Sequence, residues 1–409
     1  MNDTALTRRR MLQVGGGGVA ASLAVMAGGP VFAQPRGVSV EGQPMPEGVT
    51  LPETPPRPRR ADSVGIAVVG LGDFALKQMM PRFDQAQRVH VAALVSGNRD
   101  KLRRVGDAYG VPPASRYTYD TFDQIAQNKG VDAVYIVLPS GLHAQWTERA
   151  FAAGKHVLCE KPMALNPAEC ERMIAASRRA DRKLMIAYRV HFEPHNVRAM
   201  ELMREGAVGD LRTLRSEQAY VFERTTPSEN WRLNSALAGE SPLEDLGIYG
   251  LQAALYLSGE IPESISAQSF RPAGDPRFSQ IAASMSSQLR FPSGAIAQLA
   301  TSYDSLGRNF VDARGTKGAI LLDPATSYSG QTLKVESGEG KPPRMLTPGD
   351  PERQFAGELD HFANAIRDDS KIIVPGEMGL RDVRLINAIN LSARERRTVR
   401  LNPDGTMRG

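Results

Sequence analysis

Two segments far apart in the chain carry residue types that can move a proton to or from a carbonyl or hydroxyl oxygen. Glu160-Lys161-Pro162 follows the apolar run His156 to Cys159, and Asp245-Leu246-Gly247-Ile248-Tyr249-Gly250 lies downstream of Trp231-Arg232. A free tyrosine titrates at about 10 and is a poor base at neutral pH. A lysine cation beside it favours the phenolate and brings it toward the working range. Asp245 and Tyr249 are four residues apart, a spacing that puts both on one face of a helix. Lys161 and Tyr249 are therefore candidates for proton transfer, with Asp245 as a third member. Taken singly, each has a plainer reading: Glu160-Lys161 as a surface ion pair, and Tyr249 as a core tyrosine.

The elements that must position these residues show in the apolar pattern. Ile66 to Val69, Val91 to Val95, Ala133 to Leu138, His156 to Cys159 and Leu184 to Ala187 are short continuous apolar runs, as strands buried on both faces require. Helical patterns separate them, for example Phe122-Ile125-Ala126 and Ala144 to Ala153. This alternation predicts a doubly wound parallel sheet of the Rossmann type over residues 62–187. After about Tyr188 the strands lengthen and alternate: Gln280 to Phe291 and Ala295 to Tyr303, joined at Pro292-Ser293-Gly294, then Phe310 to Ala313, Ala319 to Leu322 and Thr332 to Val335. Phe355, Leu359, Phe362 and Ile366 recur at helical spacing. Residues 188–409 thus read as an α+β part with a large open, mostly antiparallel sheet arranged as a meander. The expected fold class is α/β overall.

Gly70-Leu71-Gly72-Asp73-Phe74-Ala75 follows the first run and matches G-x-G-x-x-G/A. In such a turn Gly70 makes the bend, Gly72 lets backbone approach a pyrophosphate, and the small Ala75 lets a helix pack on the strand. The phosphates would sit at the helix N-terminus. The second run ends Val95-Ser96-Gly97-Asn98 without the acid that usually holds a ribose 2′-OH, and Arg99, Lys101, Arg103 and Arg104 follow. A hydroxyl with basic residues suits a 2′-phosphate, hence NADP. The alternative is a solvated basic helix face.

Composition bounds the rest. The 409 residues are 41% hydrophobic and 23% charged, which excludes a wholly disordered, collagenous or coiled-coil chain. Formal net charge is +5, or +3 without the first 33 residues, too little for a nucleic-acid-binding field. Two cysteines, Cys159 and Cys170, cannot build a disulfide framework or a zinc site, and no metal is expected. Thr7-Arg8-Arg9-Arg10-Met11-Leu12, an apolar Gly/Ala-rich stretch and Val31-Phe32-Ala33 read as a twin-arginine signal over 1–33, cleaved after Ala33. The apolar stretch is too short and glycine-rich to span a membrane, so the expected location is the periplasm. Residues 34–61 are rich in Pro, Gly and charge and read as an arm, either a tether or a clasp on a neighbouring subunit.

These motifs together resemble the Gfo/Idh/MocA oxidoreductase family. The resemblance is carried by Val69 to Gly72 with Ala75-Leu76, Ala93 to Asn98, Val131 to Ile136, Gly154 to Val157 with Glu160 to Met163, and Asp323 to Thr326. It covers nearly all of the chain beyond the signal. It implies that Lys161 contacts the nicotinamide ribose and the reacting oxygen, and that Asp245 orients sugar hydroxyls. Tyr249 stands where much of the family has histidine and would be the proton donor and acceptor. Ser96 and Lys101 match contacts to the 2′-phosphate. Phe74, Pro139, His143, Glu160, Arg189, Trp231 and Arg232 complete the residues expected around NADP. The substrates implied are small sugars, glucose as hydride donor and fructose as acceptor, in a homo-oligomer of tetramer or dimer size whose arm wraps a neighbour and helps hold NADP. Two departures stand out. Asp73-Phe74 replaces a Lys-Tyr pair in the phosphate turn, and Gly239-Glu240-Ser241-Pro242 replaces a glycine-rich stretch before the catalytic helix.

Overall fold

The computed structural model describes residues 42–56, 61–222, 225–338 and 340–408. The signal, and residues 34–41 and 57–60 of the arm, lie outside the described residues.

The first apolar runs form a six-stranded, all-parallel sheet: β1 (Val64–Val69), β2 (Val89–Val95), β3 (Arg116–Tyr117), β4 (Ala133–Ile136), β5 (His156–Glu160) and β6 (Leu184–Ala187). Their order is β3-β2-β1-β4-β5-β6. Five of the six match the apolar runs. β3, two residues long, carries no such signal. Every residue of β1 is buried, because helices cover both faces. The helices begin where side chains can satisfy their free N–H groups: Asn98 Oδ1 accepts from the Lys101 N–H and Asn166 Oδ1 from the Glu169 N–H. The strand order reverses between β1 and β4, so their carboxyl ends splay apart and open a crevice there.

The second sheet has nine strands: β7 (Leu211–Ala219), β8 (Ser264–Phe270), β9 (Ser284–Arg290), β10 (Ile296–Ser302), β11 (Arg308–Gly315), β12 (Gly318–Leu322), β13 (Leu333–Ser337), β14 (Arg344–Leu346) and β15 (Val399–Arg400). The order is β14-β13-β12-β11-β7-β10-β9-β8-β15. The simple meander is corrected here. β7 inserts at the centre, parallel to β10 and antiparallel to β11. The expected strand from Gln280 begins only at Ser284, and the Pro292-Ser293-Gly294 turn is closed by the Phe291 N–H donating to the Ala295 carbonyl at 2.9 Å. One face of this sheet packs on the helices Ile248–Ser258 and Gly376–Glu395, and β9 alternates buried and exposed residues accordingly.

The helix Gln354–Arg367 follows the second sheet in sequence but packs on the first. Leu359, Phe362 and Ala363 enter the core formed with Val64, Ile66, Val68 and Tyr135. Asp360 accepts backbone N–H groups of Gln87 and Arg88 at 2.8 Å. Residues 42–56 also lie on their own chain. Met45, Val49 and Leu51 pack against that same core, and Asn98 donates to the Gly42 carbonyl at 3.2 Å. The described part of the arm is therefore not a free tether: it packs on its own chain. Among the described residues no helix is long and apolar enough to cross a membrane, and no group of three or more His, Cys, Asp or Glu side chains could hold a metal ion.

Candidate active site

The crevice at the carboxyl ends of β1, β4, β5 and β6 continues under the second sheet as a cleft of about 720 Å³. Its floor is the glycine turn. Gly70 has φ +98°, and a Cβ there would stand 2.3 Å from the Val137 carbonyl oxygen, so only glycine fits. A Cβ on Gly72 would project into open space, leaving its backbone free to be approached. Ala75 is buried against the first sheet. The helix that follows is short, a π turn Ala75–Met79 running into a 3₁₀ turn Met80–Asp84. Asp73 is turned outward, 64% exposed and 2.6 Å from Lys77, so it does not bring an uncompensated charge to the turn. Phe74 packs on Phe355 and Tyr328, with ring centroids at 5.8 and 6.2 Å.

Lys101 reaches back to this floor. Its amine is buried and donates to the Leu71 carbonyl at 3.0 Å. No carboxylate among the described residues pairs with it, and burial lowers its affinity for a proton. A buried cation with one carbonyl partner beside an open phosphate turn is short of an anion. Ser96, expected at the same group, does not line the cleft. Its hydroxyl accepts the Asn98 N–H at 3.2 Å and shapes the turn into the helix Arg99–Ala108.

The catalytic candidates meet on the far wall. The Lys161 amine donates to the Asp245 carboxylate at 2.9 Å and to the Asp245 backbone carbonyl at 2.6 Å. It lies 4.9 Å from the centroid of the Tyr249 ring. The contact expected at the phenol oxygen is thus a contact with the ring face, and the hydrogen bonds of the amine go to Asp245. Asp245 and Tyr249 do share a helix face, although the segment Leu243–Gly247 is a π turn leading into Ile248–Ser258. Asp245 also accepts from Arg232 Nε at 3.0 Å and from the Tyr303 hydroxyl at 2.9 Å. Burial alone would raise its pKa. Lys161 and Arg232 overcome that and hold it well below the usual carboxylate range. Lys161 is the mirror case, lowered by burial but raised overall by Asp245 and the Tyr249 phenol. Asp245, expected to orient sugar hydroxyls, is therefore the anion that joins two cations.

The other residues expected around the cofactor divide. Pro139, Glu160, Arg189, Trp231 and Arg232 line the cleft. The Arg189 guanidinium sits 4.7 Å from the Tyr328 ring and 4.9 Å from the Tyr249 ring, tied to the Thr326 carbonyl at 2.6 Å. Arg232 stacks on Trp231 at 4.6 Å. His143 does not reach the cleft. Its ring nitrogens lie 2.8 Å from the carbonyl oxygens of Pro162 and Leu138, so it braces two loops of the wall from behind. Sequence reading missed Tyr303, Tyr328, Gln218, Thr326 and Met45, which hold or line the cleft. Thr326, Tyr303 and Met45 lay in segments already singled out, as parts of a motif, a strand and the arm rather than of the site. Burial raises the phenols of Tyr220, Tyr303 and Tyr328, so these stay neutral donors.

Residues 64–188 match the model of an oxidoreductase family with an NAD-binding Rossmann fold, GFO_IDH_MocA, and residues 196–321 match the GFO/IDH/MocA C-terminal domain. The chain is 29% identical over 352 residues to D-xylose 1-dehydrogenase [NADP(+)] of Haloarcula marismortui, covering 83% of this chain and 93% of that one. It is 30% identical over 280 residues to trans-1,2-dihydrobenzene-1,2-diol dehydrogenase of Bos taurus, covering 67% and 78%. Among solved structures, aldose–aldose oxidoreductase from Caulobacter crescentus, complexed with glycerol, superposes with a TM-score of 0.79 at 45% identity, covering 83% of this chain and all of that one.

Proposed function

From the premise that the chain belongs to the Gfo/Idh/MocA oxidoreductase family, we propose that it is an NADP-dependent sugar oxidoreductase of the sugar–sugar type. An aldose is oxidised at C1 to its lactone, and a second sugar is reduced to an alditol. One observation carries the reading. Lys161, at the end of a strand of the dinucleotide sheet, and Tyr249, from the second half, meet in the cleft that begins at Gly70–Gly72.

The residues present fit a dinucleotide. The Gly70–Gly72 turn offers open backbone to a pyrophosphate, Lys101 offers a buried cation to a 2′-phosphate, and Pro139 and Lys161, which line the cleft, would hold the nicotinamide end. When bound, the nicotinamide supplies the hydride acceptor and donor. Everything else falls to this chain. Tyr249 takes the C1 hydroxyl proton in the oxidation and returns a proton in the reduction. Lys161 and Arg189 each lie 4.9 Å from its ring and bring positive charge to the place where the proton moves. Asp245 fixes Lys161 in place, and Arg232 and Tyr303 fix Asp245.

Two pairings of sugars are in view. Sequence alone suggested a glucose–fructose oxidoreductase, in which fructose becomes sorbitol. The 45% identity to an aldose–aldose oxidoreductase favours an aldose as acceptor. We place the enzyme in the periplasm, exported by its Arg8-Arg9 signal, where a retained cofactor needs no soluble pool.

The experiment starts with protein purified without added nucleotide. Denaturation should release NADP(H), and glucose should reduce the bound nucleotide in a single turnover. Tyr249→Phe keeps the ring and its cation contacts, and should slow that step by about 10²-fold or more while nucleotide content is unchanged. An unslowed Tyr249→Phe overturns the assignment. Reoxidation by xylose or a second glucose, against fructose, decides the acceptor.

A further inference from the structure

Behind Lys161 lies a pair of carboxyl groups that the proton chemistry above does not use. Glu160 lines the cleft. Glu358, on the helix Gln354–Arg367, is 1% exposed and lies behind the cleft wall. Between them stands Tyr135 of β4, whose side chain is fully buried. Its hydroxyl donates to Glu160 Oε1 at 2.7 Å. Glu358 Oε1 is buried with no hydrogen-bond partner, and its carboxyl group faces the same tyrosine hydroxyl.

A hydroxyl has one proton. That of Tyr135 is committed to Glu160, so what the tyrosine oxygen presents to Glu358 is a lone pair. A carboxylate there would set lone pair against lone pair and bury a second negative charge near Glu160. A carboxylic acid would instead donate to the tyrosine oxygen, giving a directed chain from Glu358 through Tyr135 to Glu160. We infer that Glu358 is held as a neutral acid, a positioning residue that leaves Glu160 the single anion of the pair. Burial first, then the Glu160 charge, push Glu358 well above the carboxylate range, and Arg189 opposes them. Glu160 is also raised by burial, but Tyr135, Lys161, its neighbouring backbone N–H and Arg189 all favour its ionised form.

The consequence is a charge count, and it rests on the reading of Tyr249 as the base. Lys161, Arg189 and Arg232 are cations, and Asp245 and Glu160 are anions. With Glu358 neutral, one positive charge is in excess around Tyr249. With Glu358 ionised, that excess is gone.

The test needs no turnover, so its failure is separable from failure of the Tyr249 assignment. The infrared difference spectrum of the full native chain minus Glu358→Gln, at neutral pH, should contain the carbonyl band of a protonated carboxylic acid. Tyr135→Phe should shift that band by removing its acceptor, which also identifies it if Glu358→Gln folds poorly. In urea, a neutral buried acid makes the native midpoint fall relative to Glu358→Gln as pH rises from about 5 to about 8, because only the folded state keeps the proton. No such band, or midpoints that move in parallel, overturns the inference.

Discussion

Replacing Lys101 with methionine separates two jobs that its amine could do. The side chain is 4% exposed, and its amine lies 3.0 Å from the Leu71 carbonyl. If that carbonyl is its purpose, the amine props the phosphate turn, and every dinucleotide depends on it equally. If a 2′-phosphate is its purpose, only NADP does. A charge-assisted hydrogen bond of about 1.5–3 kcal/mol corresponds to about 10- to 150-fold in Kd. Methionine keeps the volume of the stem and removes a buried charge, which favours the fold. It also strands the Leu71 carbonyl, which costs about 1–3 kcal/mol. These two effects oppose each other, so the melting temperature of the nucleotide-free protein should move little. The assay is calorimetric titration of NADP⁺ and NAD⁺ into native and Lys101→Met protein stripped of nucleotide. NADP⁺ should lose the full factor, and NAD⁺ should change by no more than about twofold. Equal losses for the two nucleotides would refute the reasoning and reduce Lys101 to a prop.

Asp245→Asn leaves Lys161 and Arg232 without their shared anion, and should lower unfolding free energy by about 3 kcal/mol at neutral pH, since the site is only partly open to water. Because the folded-state pKa of Asp245 is depressed, its contribution is full above the unfolded value of about 4 and is lost as pH falls below it. Urea midpoints of native and variant protein should therefore converge in acid. Deleting residues 34–56 uncovers the apolar surface under Met45, Val49 and Leu51. It should lower the melting temperature and the copurifying nucleotide while leaving the elution volume on size exclusion in register with the shorter chain. Replacing both Arg8 and Arg9 with lysine should strand precursor in the cytoplasm, visible as an uncleaved band on fractionation.

The dinucleotide half was the more legible one for a physical reason. Strands buried on both faces must be apolar throughout, so β1, β2, β4, β5 and β6 stand out as runs, and Gly70 is demanded by the close Val137 carbonyl. β7 is the central strand of the second sheet, yet reads Leu-Arg-Thr-Leu-Arg-Ser-Glu-Gln-Ala, because most of its length has one exposed side. Its neighbours supply the order that its own residues do not. The site divides in the same way. Lys161 and Tyr249 are chemical residue types in local motifs and could be found one at a time. That Lys161 binds Asp245 across 84 positions, and that Tyr303 binds it across 58, are facts of topology with no local trace. Ser96 and His143 misled for the opposite reason. Their positions in the motif are right, but their side chains are turned to nearby backbone groups rather than into the cleft.

The segment 42–56 belongs to the polypeptide whose cleft it borders, with Gln43 to Glu47 forming part of the rim. Its docking is therefore unimolecular. An arm lent by another copy would release its grip whenever the assembly dissociated, and the residence time of the nucleotide would fall on dilution. A strap tethered to its own rim is present at an effective concentration set by the chain, independent of how much protein surrounds it. That contact between strap and rim therefore does not weaken on dilution, at whatever abundance the chain is made.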